Sequence, residues 1–203
     1  MTIAAENTDY STFEYWESRY SSISETYDWF RDFDAILHEL AAILPAKTAC
    51  ILNLGCGNSL FPLQMYRAGW QSLVNVDYSS SVIQYMQRIA PEQEWTVCDL
   101  FQMDQFYQSE SFDCAIDKGT LDAFLTVKHD PWNPDSEIVD RITKYMLQVC
   151  NVLKPNGSFL HITFAQPHFR QRFFQIPEFD VKVHKLSGTN GTFEYFIYEA
   201  IKV

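Results

Sequence analysis

Ala49-Cys50-Ile51-Leu52-Asn53-Leu54-Gly55-Cys56-Gly57-Asn58-Ser59 is the stretch on which the reading of this chain turns. The run from Ala49 to Leu54 is apolar but for Asn53, too short for a helix, and it ends at a glycine turn, so it reads as a buried strand. Gly55-Cys56-Gly57 then lets backbone N–H groups approach a polar or anionic ligand at the start of the next helix. A tight strand-to-helix turn needs the same glycines for purely local reasons, so the loop alone decides little. The dinucleotide fingerprint G-x-G-x-x-G would need a third glycine at position 60, which is Leu60.

Working outward, the same alternation of strand and helix continues. Ser59 is placed to cap a helix to about Ala68. Leu73–Asp77 reads as a second strand, and Ser79 or Ser80 caps a helix through Ile89. Glu94–Cys98 and Phe112–Asp117 read as the third and fourth strands. A long helix over 135–153 closes at the turn Lys154-Pro155-Asn156-Gly157, and Ser158–Phe164 is the fifth strand. Two more strands near 179–186 and 192–202 flank the hairpin turn Gly188-Thr189-Asn190-Gly191. Upstream, Ser11-x-x-Glu14 has capping-box form ahead of a helix through Tyr20, and Phe33, Ile36, Leu37, Leu40 and Leu44 share one face of a helix over 33–44 that Pro45 stops. The expectation is one α/β Rossmann-like domain, a seven-stranded and mostly parallel sheet with one antiparallel strand near its C-terminal edge. Residues 1–45 form an aromatic helical segment and 46–203 the core.

Asp77 ends the second strand, twenty residues after Gly57, where a carboxylate can accept from both ribose hydroxyls of an adenosine. Asp99 follows the third strand, where an acid can accept from an adenine amine. The loop, Asp77 and Asp99 thus all stand on the C-terminal rim of the sheet, where open α/β sheets bind ligands.

Composition narrows the partners. Formal net charge is −11, from 15 Lys and Arg against 26 Asp and Glu, which argues against bare nucleic acid and suits a basic protein surface. The five cysteines are odd in number and lack any C-x-x-C, so neither a disulfide framework nor a metal site is signalled. No apolar run approaches the length of a membrane span, and the start carries no signal-peptide pattern, so a cytoplasmic chain is expected.

Glu14-Tyr15-Trp16-Glu17-Ser18-Arg19-Tyr20, Tyr27-Asp28-Trp29-Phe30, the 54–59 loop, Val76-Asp77-Tyr78-Ser79, Asp117-Lys118-Gly119-Thr120-Leu121-Asp122-Ala123, Asp130-Pro131-Trp132 and Pro167-His168-Phe169-Arg170 together resemble the eukaryotic lysine methyltransferases that act on translation elongation factor 1-alpha. The match runs from about residue 10 to the C-terminus, and the Asp117–Ala123 string is its most specific part. The resemblance implies S-adenosylmethionine (SAM) as methyl donor, the elongation factor as partner, and a monomer. It implies that the N-terminal aromatics close over the donor, with Trp16, Tyr20 and Trp29 touching it. It places Gly55 and Gly57 along the donor, Asp77 and Tyr78 at ribose and adenine, Asp99 and Leu100 at the adenine edge, and Lys118 beside them.

For the chemistry, Asp117 and Asp122 are the carboxylates able to orient or deprotonate an amine, and either can equally well cap the helix after strand four. His129, Asp130, Trp132, His168 and Arg170 are rim candidates for touching a protein substrate. A small-molecule methyltransferase and a non-catalytic donor-binding scaffold are the competing readings.

Overall fold

The computed structural model describes residues 4–186 and 194–203. The expected hairpin turn Gly188–Gly191 lies outside them. Seven strands, β1 (Ile51–Leu54), β2 (Leu73–Asp77), β3 (Glu94–Val97), β4 (Phe112–Lys118), β5 (Leu153–Thr163), β6 (Phe179–Leu186) and β7 (Tyr195–Lys202), form one sheet in the order β3-β2-β1-β4-β5-β7-β6. Strands β1 to β5 pair in parallel, and β7 runs antiparallel to both β5 and β6. The reversed strand therefore lies one place inside the edge, with β6 outermost. This is the fold of the seven-stranded SAM-dependent methyltransferases.

Strands buried on both faces read as unbroken apolar runs, and the alternation of side chains explains what each face holds. Leu52, Leu54, Val74, Val76, Ala115 and Phe159 point to one side. They meet α6 (Ser136–Val152), whose Ile138, Ile142, Tyr145, Met146 and Val149 recur at helical spacing. Ile51, Leu73, Cys114, Ile116, Leu160 and Ile162 point to the other side, against α2 (Phe33–Leu40) and α3 (Phe61–Arg67). A third cluster joins α1 (Phe13–Ser21) to α4 (Ser80–Ile89) through Tyr20, Cys56, Val82, Ile83 and Met86.

Several local expectations are corrected. Thr12, not Ser11, caps α1, accepting from Tyr15 N–H, while the Ser11 hydroxyl donates to Thr8 O. α2 ends at Leu40, short of 44. Leu60 is the N-cap residue of α3, while the Ser59 hydroxyl accepts from the helix's first N–H, that of Phe61, at 3.0 Å and donates to Asp28. The Lys154–Gly157 turn lies inside β5 as an irregularity. Asn156 has φ +62°, and pairing resumes at Ser158 with a register shift against β4. The helix expected after strand four is α5 (Thr120–Phe124), and one further helix was not anticipated, α7 (Pro167–Arg170).

Candidate active site

The C-terminal ends of β1 to β5 open into a cavity of about 890 Å³. That lies within the ~300–1,000 Å³ typical of sites for ligands of nucleoside or drug size. Its floor is the glycine loop. Gly55 and Gly57 have φ of +60° and +51°, a region that L side chains rarely adopt. A Cβ at Gly57 would lie 2.8 Å from the Tyr20 hydroxyl oxygen. The loop is closed over by the N-terminal segment at one position and backed by α5 at the other.

That segment is tied down by polar contacts that the aromatic pattern did not reveal. Glu17 accepts from the hydroxyls of Ser79 (2.5 Å) and Ser81 (2.6 Å) at the N-terminus of α4, and these hydrogen bonds hold its carboxyl below the usual range. Asn58 Nδ2 donates to Glu25 O at 2.9 Å, and Tyr27 N–H donates to Asn58 O at 3.0 Å. Asp28 is the central latch. It accepts from the Ser59 hydroxyl, from Leu60 N–H at 3.2 Å, and from Lys118 Nζ at 3.1 Å. Lys118 also donates to Trp29 O at 2.8 Å. Burial pushes the Lys118 ammonium down and the Asp28 charge opposes that shift. Lys118 thus ties strand β4 to the N-terminal cover. The signal for Asp28 was its place between two aromatics in Tyr27-Asp28-Trp29, where a lone carboxylate needs a partner.

The cover is aromatic. Trp16 stacks on Tyr20 with centroids 5.6 Å apart, and Trp29 meets Trp16 edge-on at 6.1 Å. The Arg19 guanidinium lies over Trp16, Tyr27 and Trp29 at 5.5 to 5.8 Å. Trp29 lines the cavity, and its Nε1–H is buried with no hydrogen-bond partner among the described residues, a donor left for a bound group.

Of the residues singled out in the sequence, Trp16, Tyr20, Trp29, Gly55, Gly57, Tyr78, Asp99, Leu100 and Lys118 all border this cavity. Asp99 caps the turn that follows β3, accepting from Phe101 N–H at 3.0 Å. Asp77 sits just behind the wall, 5% exposed. Gly57 N–H and Ser79 N–H each donate to it at 3.0 Å, so it braces the glycine loop. Burial raises its carboxyl to about 6 despite those bonds.

The two candidate carboxylates separate. Asp117 is fully buried on the α6 face of the sheet and does not border the cavity. Thr120 N–H and Leu121 N–H donate to it at 2.9 Å, Tyr145 hydroxyl at 2.7 Å, and His161 Nδ1 faces it at 3.2 Å. With two partners on each oxygen and no place in the cavity wall, its geometry is that of a helix cap, the second of the two readings its sequence position left open. Asp122 does border the cavity. Its Oδ1 accepts from Thr163 hydroxyl (2.7 Å) and Arg170 (2.5 Å), while Oδ2 has no hydrogen bond among the described residues. Arg170, expected at the rim, is 6% exposed and paired inward with Asp122. Trp132 is at the surface, 67% exposed, and stacks on His168 at 5.3 Å.

Comparison with known proteins then places the chain. A methyltransferase-domain family matches residues 46–190. EEF1A lysine methyltransferase 4 of Mus musculus is 35% identical over 198 residues, covering 95% of this chain and 76% of the relative. The chain belongs to the EEF1A lysine methyltransferase 4 family. It is also similar to the eEF1A lysine and N-terminal methyltransferase of Homo sapiens, at 28% identity over 192 residues, covering 89% of this chain and 26% of that one. Among solved structures, the N-methyltransferase NodS from Bradyrhizobium japonicum, in complex with S-adenosyl-L-homocysteine, superposes with a TM-score of 0.66. That pair shares 13% identity, over 97% of this chain and 99% of NodS, so NodS supports the fold alone. In this methyltransferase family setting, the glycine loop and its aromatic cover are the parts of the chain that fit an adenosyl donor. The left-handed glycines clear the floor, and Asp99 and Leu100 edge one wall.

Proposed function

We propose that this methyltransferase transfers a methyl group from S-adenosylmethionine to a lysine side chain of translation elongation factor 1-alpha. The observation that carries the reading is the 35% identity over 95% of the chain to a relative named for that substrate. It is supported by a rim cavity whose aromatic cover, glycine floor and carboxylates suit an adenosyl donor.

In this reading residues 1–45 are the cover and 46–203 the core. Trp16, Tyr20 and Trp29 exclude water from the donor, Gly55 and Gly57 admit it to the backbone, and Tyr78, Asp99 and Leu100 frame its base. Asp77 accepts from the ribose hydroxyls, and Lys118 holds the cover down through Asp28 and Trp29 O. The bound donor supplies an electrophilic methyl on a sulfonium. A lysine ammonium, with its ordinary pKa of about 10.4, must shed a proton before its lone pair can react. The apolar, closed walls favour the neutral amine, and Asp122 accepts its N–H and orients it. One chain holds the whole cavity, so a monomer suffices. The cysteines are free, which fits the reducing cytoplasm where the elongation factor is met.

The direct test incubates the protein with tritiated donor and recombinant elongation factor. Label is expected on one lysine, identified by mass spectrometry and lost when that lysine is replaced by arginine. Label confined to small molecules would sink the protein-substrate reading, and no transfer at all would favour a scaffold.

A pH dependence follows from Asp77. Ribose hydroxyls donate more strongly to the ionised carboxylate, whose folded value is about 6, than to the neutral acid. Donor affinity should therefore be level well above that pH and weaken as pH falls through it, by at most about tenfold per unit. Calorimetric titrations between pH 5 and 8 check this, with Asp77→Asn expected to bind weakly and without the pH slope.

A further inference from the structure

His161 interrupts the apolar strand Phe159-Leu160-His161-Ile162 and is fully buried on the α6 face of the sheet. A polar side chain there costs free energy unless its nitrogens are used. Its ring is held between Phe159, Phe174 and Tyr198, with centroids 5.9 to 6.5 Å away, so it has little room to turn. Nδ1 lies 3.2 Å from Asp117 Oδ1. Nε2 lies 3.7 Å from Asp122 Oδ2, and neither of those last two atoms has a hydrogen bond among the described residues.

Both ring nitrogens therefore face carboxylate oxygens. The surrounding charged and titratable groups can be placed element by element. Asp117 comes from β4, Asp122 from α5, Tyr145 and Arg141 from α6, Arg170 from α7 and Tyr198 from β7. Tyr145 donates to Asp117, Arg170 to Asp122, and Tyr198 to Ala165 O, while Arg141 lies over Phe101 and Phe124. Arg170 pairs with Asp122, and His161 lies between that carboxylate and Asp117.

We propose that His161 is a positioning residue of the methyl-transfer site, bridging Asp117 and Asp122 so that the Asp122 carboxylate is held to receive the N–H of the incoming amine. The inference rests on the lysine-methylation reading above. Oδ1 of Asp122 accepts from Thr163 and Arg170, and His161 is the group facing its other oxygen. A separation of 3.7 Å is too long for a hydrogen bond. Hydrogen bonds of this kind are often long before substrate arrives and tighten in the reacting complex.

Two substitutions separate positioning from packing. Asparagine places its amide where Nδ1 sits and serves Asp117 alone, whereas glutamine extends to the place of Nε2 and Asp122. His161→Asn should keep donor affinity within about twofold while kcat on the elongation factor falls at least about tenfold, with a displaced pH profile. His161→Gln should recover part of kcat. In the unsubstituted protein, the nitrogen-15 signal of His161 Nε2 should shift when the lysine substrate is added. A wild-type kcat and pH profile in His161→Asn overturns the proposal, as does an Nε2 signal that ignores substrate. An unsubstituted protein that methylates no lysine refutes the function reading instead.

Discussion

Replacing Asp117 with alanine should lower stability by about 3–5 kcal/mol, the usual cost of breaking a buried charged network, and the melting temperature by roughly 6–20 °C. The residue is fully buried, and alanine would strand four groups at once. Thr120 N–H and Leu121 N–H would lose the acceptor that starts α5, the Tyr145 hydroxyl would lose its 2.7 Å contact, and His161 Nδ1 would face a void. The Tyr145 hydroxyl and the His161 ring are fully buried, so their desolvation cost is exposed in full. Asp117→Asn keeps the volume and one acceptor oxygen but turns an amide donor toward other donors, so it should lose less, about 1–3 kcal/mol. Thermal melts and urea titrations of the three proteins check this. An alanine variant that melts with the unsubstituted protein would show that the network contributes nothing to folding.

The same residue shows where sequence reasoning stops. Strands β1 and β2 were legible because both their faces are buried, which leaves an unmistakable apolar run ending in a turn. The rim positions followed, since every strand of a parallel sheet ends on the same side. What a strand pattern does not tell is which of two adjacent polar residues faces which layer. Asp117 and Lys118 are neighbours, yet Asp117 points into the α6 layer and Lys118 toward Phe61 and the N-terminal cover. Both are polar residues at the end of β4, and only the packing of helices on each face separates anchor from latch. A helix after β4 was expected without bounds, because it spans only Thr120–Phe124 and is set up by Gly119 at φ +90° and by the Asp117 carboxylate three residues before its start. His161 was visible in principle, as a lone polar residue on a core strand. Its meaning required the two carboxylates that the fold brings to it from 44 and 39 positions away in sequence (161 − 117 and 161 − 122).

Gly55→Ala should weaken donor binding strongly and lower turnover by roughly a hundredfold or more, the scale of loss expected when reacting groups are misplaced by about an ångström. The backbone there has φ +60°, which alone disfavours alanine by about 1–2 kcal/mol. The greater obstacle is steric. The new Cβ would lie 2.2 Å from Thr120 Oγ1 and 2.7 Å from its Cγ2. Thr120 does not yield freely, because its hydroxyl donates to Leu54 O at 3.0 Å and its N–H donates to Asp117. The loop must therefore move into the cavity, or α5 must move off the sheet and carry Asp122 with it. Thr120→Ala in the same chain tells these apart. It removes Oγ1 and Cγ2 but leaves its own Cβ at 3.0 Å, so the double variant should regain part of the lost affinity while the φ penalty remains. Donor titration of the single and double variants measures this directly. If Gly55→Ala binds donor as the unsubstituted protein does, the loop is no more than a tight turn, and the adenosyl site must be sought elsewhere in the cleft.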